Sequence, residues 1–127
     1  GLPQDKVQEM LDQLADEDFL NEERFAREFA GGRFRLKQWG RVKIRYELKQ
    51  KKVSQGHIEK ALESIDQEAY DAVLLAIAQK KWELLKKSAD TPATRSVKLR
   101  HYLSQKGFEA DLVLKACKKT EGPGGAF

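Results

Sequence analysis

Lys43-Ile44-Arg45-Tyr46-Glu47-Leu48-Lys49-Gln50-Lys51-Lys52-Val53 recurs 55 positions later as Lys98-Leu99-Arg100-His101-Tyr102-Leu103-Ser104-Gln105-Lys106-Gly107-Phe108. Lys, Arg, Leu, Gln and Lys return at identical places, Ile58 then matches Val113, and Ala61 matches Ala116. Packing alone does not ask for shared Lys, Arg and Gln, so the match points to a repeated unit rather than to two similar amphipathic helices. Each copy reads as a helix, a short turn ending in an apolar residue, and a second helix. Such a unit cannot bury its apolar face alone, so stacked copies share a core. A degenerate third copy is expected at the start, with Leu11 matching Ile44, and Leu20, Asn21, Phe25 and Phe29 matching Val53, Ser54, Ile58 and Leu62.

Working outward from the repeat, the whole chain reads as helix. Prolines stand only at positions 3, 92 and 123, and no alternating Val/Ile/Thr runs occur. A first helix is expected over Gln4 to Ala15, broken by Asp16-Glu17-Asp18. Asn21 then caps a second, with Phe25, Ala26 and Phe29 buried and Gly31-Gly32 as an interruption. Gly40 opens a third helix, to about Lys51. Ser54 caps a fourth, with Ile58, Ala61, Leu62 and Ile65 buried and His57 exposed in its first turn. Asp66 caps a long fifth helix to about Lys87, bridging two units. Thr91-Pro92 starts a sixth, Gly107 ends it, and a seventh covers Glu109 to Lys118. The fold expected is all-α, with tandem three-helix (helix-turn-helix-like) repeats in an elongated, curved array. Its divisions are 1–36 (partial first repeat and start of the second), 37–65 (central basic repeat), 66–118 (long helix plus C-terminal repeat) and 119–127 (disordered tail).

The net charge of +4 hides segregation. Residues 1–32 hold three basic residues against nine acids, and residues 33–52 hold nine basic residues against Glu47 alone. A basic block of that density suits an acidic or polyanionic partner. On the repeated helix, Ile44 and Leu48 anchor the core while Val42 and Tyr46 fall opposite; in the second copy Val97 and His101 take the outward places. Tyr46 either contacts a partner, flanked by Arg45 and Lys49, or packs on another helix of the chain. Trp39 reads as a packing staple at a helix entry.

Motifs for catalysis are missing. Neither phosphate-loop signature occurs, nor does HExxH, and His57 and His101 have no ligand partner at metal spacing. The single cysteine, Cys117, excludes an internal disulfide. No signal peptide or membrane-length apolar run is present. The expectation is therefore a cytoplasmic, monomeric protein with no catalytic residues, metal or cofactor, binding a partner rather than transforming a substrate.

The run Leu20-Asn21-Glu22-Glu23-Arg24-Phe25-Ala26-Arg27, then Gly40-Arg41-Val42-Lys43-Ile44, Glu47-Leu48, Lys51, Ile58 and Ala61-Leu62, resembles the RecX family of recombinase regulators. Arg100, Tyr102-Leu103, Lys106-Gly107-Phe108 and Leu112-Val113 continue the pattern, and the resemblance covers residues 4–118. It departs at Lys52, where family members usually have Gly, and the family's first repeat begins upstream of the position of Gly1. The resemblance implies tandem three-helix repeats that bind along the groove of the RecA filament on DNA. It also implies modulation, chiefly inhibition, of RecA's ATP hydrolysis and strand exchange, in DNA repair and the SOS response, with no chemistry of the protein's own. Expected contacts to filament acids or phosphates are Arg33, Arg35, Lys37, Arg41, Lys43, Arg45 and Lys49, supported by Tyr46, Lys98 and Arg100. Charge reversal at Arg41 and Arg45 is expected to weaken inhibition without unfolding the protein. The rival expectations are a helix-turn-helix protein binding DNA weakly through phosphates, and a helical scaffold for an unrelated acidic protein.

Overall fold

The computed structural model describes residues 4–122, with side chains at position 17 and from position 20 onward. Among these residues are six helices: α1 (Gln4–Lys37), α2 (Arg41–Gln50), α3 (Gln55–Glu63), α4 (Gln67–Lys86), α5 (Pro92–Gln105) and α6 (Ala110–Glu121). The C-terminal half of α1 packs with α2 and α3, and α4 packs with α5 and α6, giving two three-helix units. The tail expected over 119–127 is corrected at its start, because α6 continues to Glu121 with no helix breaker before Gly122, and the part beyond Gly122 lies outside the described residues.

Several expectations about the N-terminal half are corrected. Residues 16–18 do not break the chain, because α1 runs through them without interruption. Acids cost a helix at most about 0.7 kcal/mol each, and no Gly or Pro stands between Gln4 and Ala30 to stop it. Asn21 is therefore mid-helix rather than a cap, and the degenerate third copy does not fold as a helix-turn-helix. Gly31-Gly32 does not interrupt α1 either. Ala26, Ala30 and Phe34 recur every fourth residue and are buried on either side of the pair, and that packing outweighs about 1 kcal/mol per glycine. The buried stripe is displaced from the expected one: Phe25 is 44% exposed, and Phe29 only packs against the rim of the core.

Helix α4 is the first helix of the C-terminal unit rather than a bridge, since it lies against α5 and α6. Its cap is as expected, with Asp66 accepting from the Ala69 N–H at 2.9 Å, as is Thr91 capping α5 ahead of Pro92. His57 is buried, not exposed. Because α1 extends alongside α3, Glu22 reaches it: the Ser54 N–H donates to Glu22 Oε1, and His57 Nδ1 lies 3.0 Å from Ser54 Oγ and 3.4 Å from Glu22. These contacts, with the Ser54 hydrogen bond foremost, hold the Glu22 carboxyl below its ordinary range.

The two units are joined at one place. Helix α2 begins at Gly40 with no side-chain cap of its own. The C-terminal unit supplies one: Gly40 N–H donates to the Lys106 carbonyl at 2.8 Å, Val42 N–H to the Gly107 carbonyl at 2.9 Å, and Arg41 N–H to Tyr70 Oη at 2.9 Å. Three donors at a helix start, which would otherwise be orphaned, are thus met from the next unit. The backbones approach so closely that neither glycine tolerates a side chain. A Cβ on Gly40 would stand 2.3 Å from the Gly107 oxygen, and one on Gly107 would stand 2.3 Å from Lys43 Cβ. Tyr70 fills the joint, its ring 5.6 Å from Phe34 and 5.3 Å from Phe108. Its hydroxyl donates to Glu109, and burial together with that bond pushes the phenol's pKa up.

The turn at Lys52 keeps the geometry of its counterpart despite the missing glycine. Lys52 has φ 63° and Gly107 φ 93°, both left-handed. A lysine there carries a backbone cost of about 1–2 kcal/mol that glycine avoids.

Candidate functional site

The ten residues expected to contact a partner fall into three physical groups. Arg41 belongs to the joint. Its guanidinium lies 3.9 Å from the Tyr70 ring centre and donates to Glu109 at 2.9 Å and Gln67 at 2.8 Å, leaving its side chain 15% exposed. A charge reversal there acts on the fold, so Arg41 is unsuited to mapping a surface. Arg45 and Lys98 form the second group, cations already matched by acids. Arg45 grips Glu59 with two hydrogen bonds, at 2.9 and 3.3 Å, and Lys98 meets Asp90 at 2.5 Å. Hydrogen bonding to these cations lowers both carboxyls, and hydrogen bonding to Glu59 raises Arg45.

The third group is open. Arg35, Lys37, Lys49 and Arg100 are exposed. Arg33 and Lys43 have no acid partner among the described residues and lie instead over aromatic rings. Arg33 is 4.7 Å from the Phe29 centroid and 5.5 Å from that of Trp39, and Lys43 is 4.5 Å from Trp39. Trp39 packs on the core as a staple while offering its ring to both cations. Tyr46 is 59% exposed, so it faces outward rather than packing on another helix of the chain.

The repeat is visible in what each unit presents. Val42 and Val97, at equivalent places on α2 and α5, are 47% and 55% exposed, while Ile44, Leu48, Leu99 and Leu103 are fully buried. Tyr46 and His101 follow one turn later, both outward. Beside the second of these faces a shallow apolar groove is lined by Lys81, Leu85, Val97 and Tyr102.

Sequence reasoning missed Lys51, Lys81 and Lys106 as members of the open group. Lys51 lies 5.5 Å from the Phe29 centroid, and Lys81 and Lys106 lie 4.6 and 5.8 Å from Tyr102. Lys51 and Lys81 stand 22 and 21 positions from the rings they cover, which leaves no periodic trace, and Lys106 stands four after Tyr102 but past the end of α5. Only the repeat, which pairs Lys51 with Lys106, hinted at it.

Cys117 is buried, and burial pushes its thiol up to about 11, away from the reactive thiolate. Among the described residues no cluster of His, Cys, Asp and Glu could hold a metal ion, and no helix is long and apolar enough to cross a membrane.

Comparison with known proteins supplies the last observation. A family model described as RecX, second three-helix domain, matches residues 21–62, and one described as RecX, third three-helix domain, matches residues 68–117. The chain is 36% identical over 119 residues to the "Regulatory protein RecX" of Clostridium botulinum (strain Eklund 17B / Type B), covering 94% of this chain and 55% of that protein. It is 38% identical over 106 residues to that of Chlorobium phaeobacteroides (strain BS1), covering 84% and 64%. With the counterpart in Prosthecochloris aestuarii (strain DSM 271 / SK 413) it shares 33% over 113 residues, 89% and 71%. The chain thus spans about half the length of the clostridial relatives. No solved structure matches it.

Proposed function

Since this chain belongs to the RecX family of regulatory proteins, we propose that it is a non-enzymatic regulator that binds the RecA–DNA filament and inhibits its ATP hydrolysis and strand exchange. The observation that carries this reading is one surface presented twice. Val42, Lys43, Arg45 and Tyr46 on α2 return as Val97, Lys98, Arg100 and His101 on α5, and the backbone joint fixes their separation. A rigid pair of equivalent faces suits a partner that is itself periodic, as a filament is. Each face combines an exposed apolar residue, an aromatic ring and basic side chains, the composition favoured where interfaces are anchored. RecA being a cytoplasmic protein, the regulator acts there as a monomer, with weak backbone contacts to DNA.

Lys49→Glu combined with Arg100→Glu tests this assignment. Both side chains are exposed and neither has an internal ion partner, so the reversals leave the fold intact. Co-sedimentation with RecA–DNA filaments should fall at least tenfold. Unchanged co-sedimentation of the folded double variant removes these faces from the interface.

A stand-alone helix-turn-helix DNA reader is disfavoured by α3. That helix would be the recognition element, yet it buries His57, Ile58, Ala61 and Leu62. Its one basic side chain besides His57, Lys60, sits 3.6 Å from Glu23.

A further inference from the structure

The open cations form a row that neither unit contains alone. From Phe25 the rings run to Phe29 (5.8 Å between centroids) and to Trp39 (6.5 Å). Lys51 and Arg33 lie over Phe29, and Arg33 and Lys43 over Trp39. The row then crosses the joint. Lys106 follows, its Nζ 3.4 Å from the Lys37 carbonyl oxygen, and then Tyr102, with Lys81 on the same ring. Burial first, and the charge of Lys43 second, hold the Lys106 ammonium below its ordinary range, so the two units bring Lys43 and Lys106 together against their mutual repulsion.

Among the described residues none of these five cations has a carboxylate within ion-pair distance, whereas Arg41, Arg45, Lys60, Lys86 and Lys98 all do. Glu47 stands four residues from both Lys43 and Lys51 on α2 and pairs with neither. An aromatic face holds a cation in place without cancelling its charge.

We propose that this alternating row of rings and uncompensated cations is a track for a single-stranded nucleic acid, its phosphates taken by Arg33, Lys43, Lys51, Lys81 and Lys106. Rings beside cations are what a single strand requires, since every base has a face to stack and every phosphate a charge to neutralise. Phe25, at the end of the row, is 44% exposed and offers a base a face to stack on. An acidic peptide would use the charges and leave the rings idle. The proposal deepens the filament reading by naming the surface that faces DNA, and it rests on that reading only in placing the protein beside DNA.

The test uses DNA without recombinase. Fluorescence anisotropy of a labelled oligo(dT) is followed against salt for the wild-type chain and for a triple variant, Lys43→Gln, Lys51→Gln and Lys106→Gln. Each phosphate contact on a single strand contributes about 0.7 to the slope of log K against log salt, so three lost contacts lower the slope by about 2. Affinity at low salt falls at least tenfold. A paired control, Lys60→Gln with Lys86→Gln, removes two cations already matched by acids and outside both repeated faces, and should leave the slope unchanged. Helicity by circular dichroism confirms that all variants fold. Equal slopes for the wild type and the triple variant overturn the track, as does tighter binding to a duplex of the same length. Poly-glutamate binding with the same dependence on the three lysines overturns it in favour of an acidic protein. Because no RecA is present, any of these failures leaves filament inhibition to be judged separately by RecA's own ATP hydrolysis.

Discussion

Gly40→Ala should destabilise the protein, although the same change is ordinarily stabilising where the backbone allows it. The added methyl would stand 2.3 Å from the Gly107 oxygen and 2.4 Å from its carbonyl carbon, and backbone atoms cannot swing aside as a lysine tip can. The joint must open by about 1 Å or more to regain a normal van der Waals separation. Opening forfeits the hydrogen bonds from Gly40, Arg41 and Val42 into the C-terminal unit. At about 1 kcal/mol each they account for about 3 kcal/mol. Reduced freedom of the unfolded chain returns roughly 0.4–1 kcal/mol, leaving a net loss of about 2 kcal/mol. For a chain of this size that lowers the thermal midpoint by about 8 °C. Gly32→Ala is the control. Gly32 lies inside α1 with open space where its Cβ would go, so the same methyl should stabilise by up to about 1 kcal/mol. Thermal and urea unfolding followed by circular dichroism read both changes. A neutral or stabilising Gly40→Ala would refute the description of the joint, whatever happens at Gly32.

Arg41→Gln and Arg45→Gln should differ although both remove an ion-paired cation: the first opens a mostly buried network and costs about 2 kcal/mol, the second breaks a half-exposed pair and costs under about 1 kcal/mol. Equal losses in urea unfolding would contradict the assignment of Arg41 to the joint. Lys52→Gly should stabilise by about 0.5–1 kcal/mol by relieving a left-handed lysine, after allowance for glycine's unfolded-state entropy; a lower denaturation midpoint would mean that the lysine side chain contributes more than its backbone costs. Stability should fall in acid. Glu22, Glu59 and Asp90 all have folded pKa values below their ordinary 4.5, 4.5 and 3.8, so what they contribute is present above those values and is lost as pH falls through the depressed ones. Glu59→Gln should flatten the decline of thermal midpoint below about pH 5, and an unchanged profile would show that the Arg45 pair contributes nothing.

Much of the fold is legible in the sequence because its signals are local. The Asp66 and Thr91-Pro92 caps, the left-handed Gly107 and the anchors Ile44, Leu48, Leu99 and Leu103 each follow from residues a few positions apart, and the 55-residue repeat joined them into units. What the sequence hid is non-local. The unbroken α1 could not be separated from two helices with an acidic turn, because Asp and Glu suit both a cap and a helix interior. His57 looked exposed because Glu22, expected in the first turn of a second helix capped by Asn21, was not expected to reach it. The surface was legible as a basic block but not as a partition of that block. Whether Arg41 or Arg45 is free depends on Glu109 and Glu59, which lie 68 and 14 positions away. The row of cations on rings is distributed over α1, α2, α4 and the turn after α5, and no window along the chain contains it.

The central claim is regulation of RecA, and RecA's DNA-dependent ATP hydrolysis with rising amounts of this protein tests it most directly. Inhibition at sub-stoichiometric ratios is the predicted result, because a protein that grips a filament across successive subunits arrests more than the one it touches. No change in hydrolysis at stoichiometric excess, with the protein folded and helical, would contradict the claim.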